Sequence, residues 1–67
     1  MFIVELTRGH DKFAVMRRVN VNEPNLYFAV QRATRLLFNA EEQADGYRVL
    51  DDGGRLRAEL WTGTADP

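Results

Sequence analysis

The side chains with the most chemistry to offer in this 67-residue chain are its arginines and its single tryptophan. Eight of the nine basic residues are arginine, with Lys12 the exception. A guanidinium binds carboxylates and phosphates through paired bonds and stacks on aromatic rings, so it suits interfaces better than an ammonium does. An arginine-favouring coding background gives the same count without any mechanism. For catalysis there is much less. His10, the only histidine, stands beside Asp11 in a turn with no second histidine and no nucleophile to pair with it. With no cysteine and one histidine, no metal centre is expected. Asp51-Asp52-Gly53-Gly54 has the composition of a cation loop but lacks EF-hand spacing, and turn chemistry accounts for all four residues. The chain therefore reads as a non-enzyme with no cofactor and no small-molecule substrate.

The elements that must carry these residues begin with a long helix. Leu26, Val30, Ala33, Leu37 and Ala40 recur at steps of three and four, which places them along one side of a helix spanning about residues 23–44. Asn22 is the expected N-cap, with Glu23 near the positive end of the dipole and Pro24 in the first turn. Glu41, Glu42 and Asp45 oppose the negative end, so the last turn is expected to fray into a solvated acidic patch, with Gly46 as the C′ residue.

Strand-like alternation brackets the helix. Phe2, Val4 and Leu6 share one face of a strand at about 2–8, and Phe13, Val15 and Val19 share one face of a second at about 13–19, joined by a turn at Gly9-His10-Asp11. Arg17 falls on the inward phase of the second strand and is expected near an edge, where its head reaches water. Two further strands, at about 46–51 and 55–62, flank the Asp-Gly turn, with Tyr47, Val49, Leu56, Ala58 and Leu60 as their buried set. Residues 63–67 read as a tail.

The whole is an α+β domain of order ββαββ, a four-stranded antiparallel or mixed sheet with one long helix packed on one face. A crossover after the helix suggests the strand order 2-1-4-3, with 1-2-3-4 as the alternative. In this arrangement, and in opening on Met1-Phe2-Ile3-Val4 followed by a hairpin, the chain resembles the β-grasp fold of ubiquitin-like proteins. The likeness extends to topology alone, since Thr64-Ala65-Asp66-Pro67 is not the diglycine terminus that conjugation requires.

A domain this short buries only about 60% of its unfolded surface, and without disulfide or metal a second copy is one expected aid to stability. Net charge is −1, which argues against a general polyanion clamp. No apolar run is long enough to span a bilayer, the N-terminus lacks the pattern of a signal peptide, and the absence of cysteine fits a reducing cytoplasm.

Two surfaces are left for binding. On the sheet face away from the helix, Ile3, Met16, Leu50 and Trp61 stand among Arg18, Arg48, Arg55, Arg57, Glu5 and Glu59, the composition of an interface core. The other phase of the third strand would exchange Leu50 with Val49. On the outer face of the helix, Phe28 lies between Arg32 and Arg35, near Asn39, with Tyr27 and Phe38 expected to extend the core. The sequence thus points to protein binding by a small regulator or inhibitor, phage-like in its economy, with a homodimer through the open sheet face among the options. The other class of function is nucleic-acid binding, with Trp61 stacking on bases and arginines tracking phosphates.

Overall fold

The computed structural model describes residues 1–9, 13–40 and 44–62. Along the chain lie β1 (Phe2–Arg8), β2 (Ala14–Val21), α1 (Leu26–Phe38), β3 (Gly46–Leu50) and β4 (Leu56–Trp61). All four strands form one antiparallel sheet in the order β2-β1-β3-β4. The α+β class, the ββαββ order and the single helix agree with the sequence.

The strand order 2-1-4-3 does not hold, nor does 1-2-3-4. Two strands compete for the place beside β1, and the more apolar one takes it. β3 sends Tyr47 and Val49 under the helix, both buried, whereas β4 sends only half-buried Ala58 and exposed Leu60. With β3 next to β1 every ladder is antiparallel, so the parallel central pair implied by the β-grasp likeness is absent.

The helix lies over the two central strands, β1 and β3. Ala29, Ala33 and Leu37, spaced by one turn, face Val4, Leu6, Val21, Tyr47 and Val49 to form the core. Small residues at 29 and 33 let the helix backbone come close to the sheet. The helix is shorter than its apolar stripe, 13 residues or about 20 Å. Asn25 caps it rather than Asn22: its Oδ1 accepts the Phe28 N–H at 3.2 Å, and its extended backbone keeps Pro24 outside the first turn. At the other end the Asn39 N–H closes on the Arg35 carbonyl at 3.1 Å. Glu41 and Glu42, His10 and Asp11, and the tail at 63–67 lie outside the described residues.

Asp45 and Gly46 do not finish the helix. Asp45 clips three elements together: its N–H donates to the Thr7 carbonyl, its carbonyl accepts from Thr62, and its Oδ2 accepts the Gly9 N–H at 2.8 Å. Gly46 opens β3, and a Cβ there would run into the Leu60 carbonyl oxygen of the neighbouring strand. The β3–β4 turn behaves as its composition predicts. Asp51 Oδ1 accepts the N–H groups of Gly53 and Arg55, both at 2.9 Å, and Gly54 takes a positive φ of 79°.

Candidate functional site

The sheet face turned away from the helix is built by the register, which aligns side chains into rungs running across all four strands. One rung is Arg18, Glu5, Arg48 and Glu59, read from β2 to β4. Its charges alternate and sum to zero. Glu5 in the middle is only 5% exposed. Its Oε2 accepts from Arg18 Nη2 at 2.6 Å and Nε at 3.1 Å, while Arg48 Nη1 stands 3.5 Å from Oε1 without completing a hydrogen bond. A carboxylate this buried needs such partners, since an unpaired charge out of water is costly.

Uncharged rungs flank the charged one. Toward the start of β1 lie Asn20, Ile3, Leu50 and Leu56; toward its end lie Val15, Thr7, Gly46 and Trp61. Phe13 joins the second of these, its ring beneath the Arg48 guanidinium at 4.8 Å from the centroid, a cation–π contact. Thr7, Phe13, Arg48, Glu59 and Trp61 border a recess of about 300 Å³ there. Trp61 is 36% exposed.

Two β-bulges decide which residues reach this face, because one extra residue reverses every side chain beyond it. In β2 the register steps from Leu6↔Arg17 to Thr7↔Val15, leaving Met16 without a partner. Val15 is thereby carried to the open face and Phe13 stacks there, rather than facing the helix as expected. Arg17 keeps its inward phase opposite Leu6 and is exposed at the edge strand. In β4 the step from Val49↔Ala58 to Leu50↔Leu56 leaves Arg57 unpaired in the register. Leu56 turns to the open face and is exposed instead of buried.

Of the sheet residues singled out from the sequence, Ile3, Arg48 and Trp61 are brought together on the open face, and Leu50 keeps its expected phase. Met16 is exposed at its bulge. Arg57 departs from the expectation: it pairs with Asp51 Oδ2 at 3.6 Å and borders a recess with Phe2 and Pro24, beside the start of the helix. Phe13, Val15 and Leu56 are the members that periodicity alone missed. One signal for the first two was present in the sequence, the charged Arg17 in the same apparent phase as Phe13 and Val15, which marks a break in the pattern.

The outer helix face is more apolar than the spacing implied. Tyr27 is 65% and Phe38 73% exposed, so neither extends the core; both point away from the Ala29–Ala33–Leu37 line. Phe28 is 43% exposed and meets Tyr27 edge-on, with ring centroids 5.4 Å apart. Arg32 turns to Glu23, with Nη1 3.2 Å from Oε2, instead of sheltering Phe28, and Arg35 remains exposed on the same side.

Among the described residues, no cluster of three or more histidine, cysteine, aspartate or glutamate side chains could hold a metal ion. No helix among them is long and apolar enough to cross a membrane. Comparison with family models, with curated proteins and with solved structures finds no match for this chain.

Proposed function

We propose that this chain is a non-catalytic protein-binding module, a small regulator or inhibitor, and that it binds through the open face of its sheet. The observation that carries this reading is the zero-sum charged rung between two uncharged rungs, with Glu5 buried at its centre. Ile3, Val15, Leu50, Leu56 and Trp61 stand on a face the helix leaves uncovered, which supports docking there. Its fixed pattern of charges supplies the register that a plain apolar patch lacks.

The nucleic-acid alternative gains Phe13 as a second outward aromatic residue, but it loses its phosphate contacts. Arg18 and Arg48 already lie against Glu5, and Arg48 has Glu59 opposite it on the next strand. A face with no net positive charge attracts phosphates weakly.

The test combines two measurements. The protein is tethered through its helix side, and proteins retained from a native extract, including further copies of this chain, are compared with those held by Ile3→Arg and Trp61→Ala variants. They are expected to fall away from both variants. In parallel, a labelled single strand of about 15 nucleotides is titrated at about 50 and 200 mM salt and should show no binding that weakens steeply with salt. Retention unchanged in both variants, or oligonucleotide binding with a steep salt slope, overturns the reading.

A further inference from the structure

We infer that the open face takes a second copy of this chain, docked about a two-fold axis that runs parallel to the strands between β1 and β3. This rests on the reading of that face as protein-binding and names its occupant.

The argument is the order of charges across the charged rung. Read from β2 to β4 it is positive, negative, positive, negative, from Arg18 through Glu5 and Arg48 to Glu59. Rotation about the stated axis reverses strand order and keeps the level of each rung. Arg18 then meets Glu59 of the second copy, and Glu5 meets its Arg48, so every charge faces its opposite. A two-fold axis in the same plane but perpendicular to the strands would set Arg18 against Arg18 and Glu5 against Glu5. Of the two, only the first is self-complementary, which is the condition for an isologous interface.

The flanking rungs carry no charge that opposes this axis, although it sets Asn20 against Leu56 at the edges of the first. Ile3 meets Leu50 of the second copy in the first, both half-buried and apolar. In the other, Thr7 and Gly46 lie at the axis, both already buried within the chain, while Trp61 meets Val15 at the edges. Sheets that pack face to face rotate by about 30°, which shifts the edge positions by a few ångströms, within reach of arginine and glutamate side chains. Glu5 is already buried and paired within each copy, so docking removes little further water from it. Its Oε1 accepts no hydrogen bond within the chain, with Arg48 Nη1 3.5 Å away. A face four strands wide and three rungs deep buries about 1,000–1,200 Å² in total, the lower end of specific interfaces, so the dimer is expected to be weak and concentration-dependent.

The test uses charge reversal in separate chains. Glu59→Arg sets arginine against Arg18 across the axis, and Arg18→Glu sets glutamate against Glu59, so each variant alone should self-associate at least about tenfold more weakly than the natural chain. Mixed, the two should form heterodimers, because both cross-axis pairs regain opposite charge. Each chain carries the same internal change whether alone or mixed, which separates docking from folding. Should Arg18→Glu fail to fold beside Glu5, chains carrying Asn20→Cys and chains carrying Leu56→Cys replace the pair; mixed, they should cross-link faster than either alone, since positions 20 and 56 oppose each other across the axis. Mass is followed by light scattering over a concentration series, with Trp61 emission expected to shift to the blue on association.

Failure of the mixed reversals to associate, or of the mixed cysteines to cross-link, overturns the axis. A dimer indifferent to these changes but lost in Phe28→Ser and Phe38→Ser joins through its helices and overturns the inference. A chain monomeric at every concentration overturns it too; the protein-binding reading survives that result if Ile3→Arg still sheds extract proteins, and fails with it if not.

Discussion

The two faces of this sheet are made by the same four strands and handle burial in opposite ways. Under the helix, Val4, Leu6, Val21, Tyr47 and Val49 form a core with no charged member. On the open face a row of four charged residues crosses the middle, and the one closest to the centre, Glu5, is as buried as Tyr47. The covered face is stabilised by apolar area and tolerates any partner that packs. The open face instead carries a fixed row of alternating charges, held in place by the register of the four strands.

The largest effects should therefore fall on the covered face and leave the open one silent. Leu6→Ala removes a fully buried side chain and is expected to cost about 2–5 kcal/mol, enough to unfold much of so small a domain. Ile3→Ala, one position from Val4 on the opposite face, should cost under about 1 kcal/mol in dilute solution. Urea titrations followed by far-ultraviolet circular dichroism compare the two; equal losses would mean that both faces serve the fold alike. Gly46→Ala is the exception, a large effect from an open-face position although it adds only a methyl group. The new Cβ meets the Leu60 carbonyl oxygen and approaches the Trp61 Cα to 2.9 Å, so the β3–β4 ladder must move apart. Loss of amide-exchange protection in β4 is the expected readout.

Glu5 sharpens the contrast at intermediate size. Glu5→Ala leaves Arg48 half-buried beside an apolar gap and should cost about 1–3 kcal/mol, while Arg18, largely exposed, stays solvated. Glu5→Leu refills the gap but leaves both arginines without their carboxylate, so it should recover only the packing part of that loss. If Glu5→Leu matches the natural chain in stability yet no longer self-associates, the charged row serves docking and not folding.

How far the sequence carries this picture depends on periodicity. The α+β class, the ββαββ order and the Asp-Gly hairpin are legible because each rests on a local rule: period, or the positive φ that a glycine permits. Ile3, Glu5, Arg48 and Trp61 were placed on the correct face for the same reason. Phe13, Val15 and Leu56 were not, since a bulge inserts one residue and reverses all that lies beyond it, and nothing in alternation reports which residue is extra. Arg17 gave a hint in β2; Arg57, an ordinary charged residue between Leu56 and Ala58, gave none in β4. Strand order was decided by competition between β3 and β4 for the place beside β1, a tertiary matter. The helix is short at both ends: it starts late because Asn25 is a better-placed cap than Asn22 once Pro24 stands before it, and it ends early where acidic residues follow at the negative end of its dipole.

The smallest expected effect concerns the turn that holds the β4 bulge. The Asp51 carboxyl is held below its ordinary value of 3.8, chiefly by the Arg55 backbone N–H, with partial desolvation opposing and the Gly53 N–H and the charge of Arg57 assisting. A folded value below the unfolded one means that the charged carboxylate stabilises the fold above the unfolded value, and that this contribution is lost as pH falls through 3.8 toward the lowered folded value. Asp51→Asn should therefore narrow the gap in melting temperature between about pH 6 and pH 3, and at pH 3 it should differ least from the natural chain. Asn can still accept the turn N–H bonds but cannot pair with Arg57. If the bulge depends on that pair, the variant will let Arg57 back into register and turn Leu56 toward the helix side. Nuclear Overhauser contacts between Leu56 and Leu50 would then disappear. If those contacts persist while only the pH dependence changes, backbone geometry at Gly54 alone fixes the bulge, and the composition of the open face owes nothing to charge at the turn.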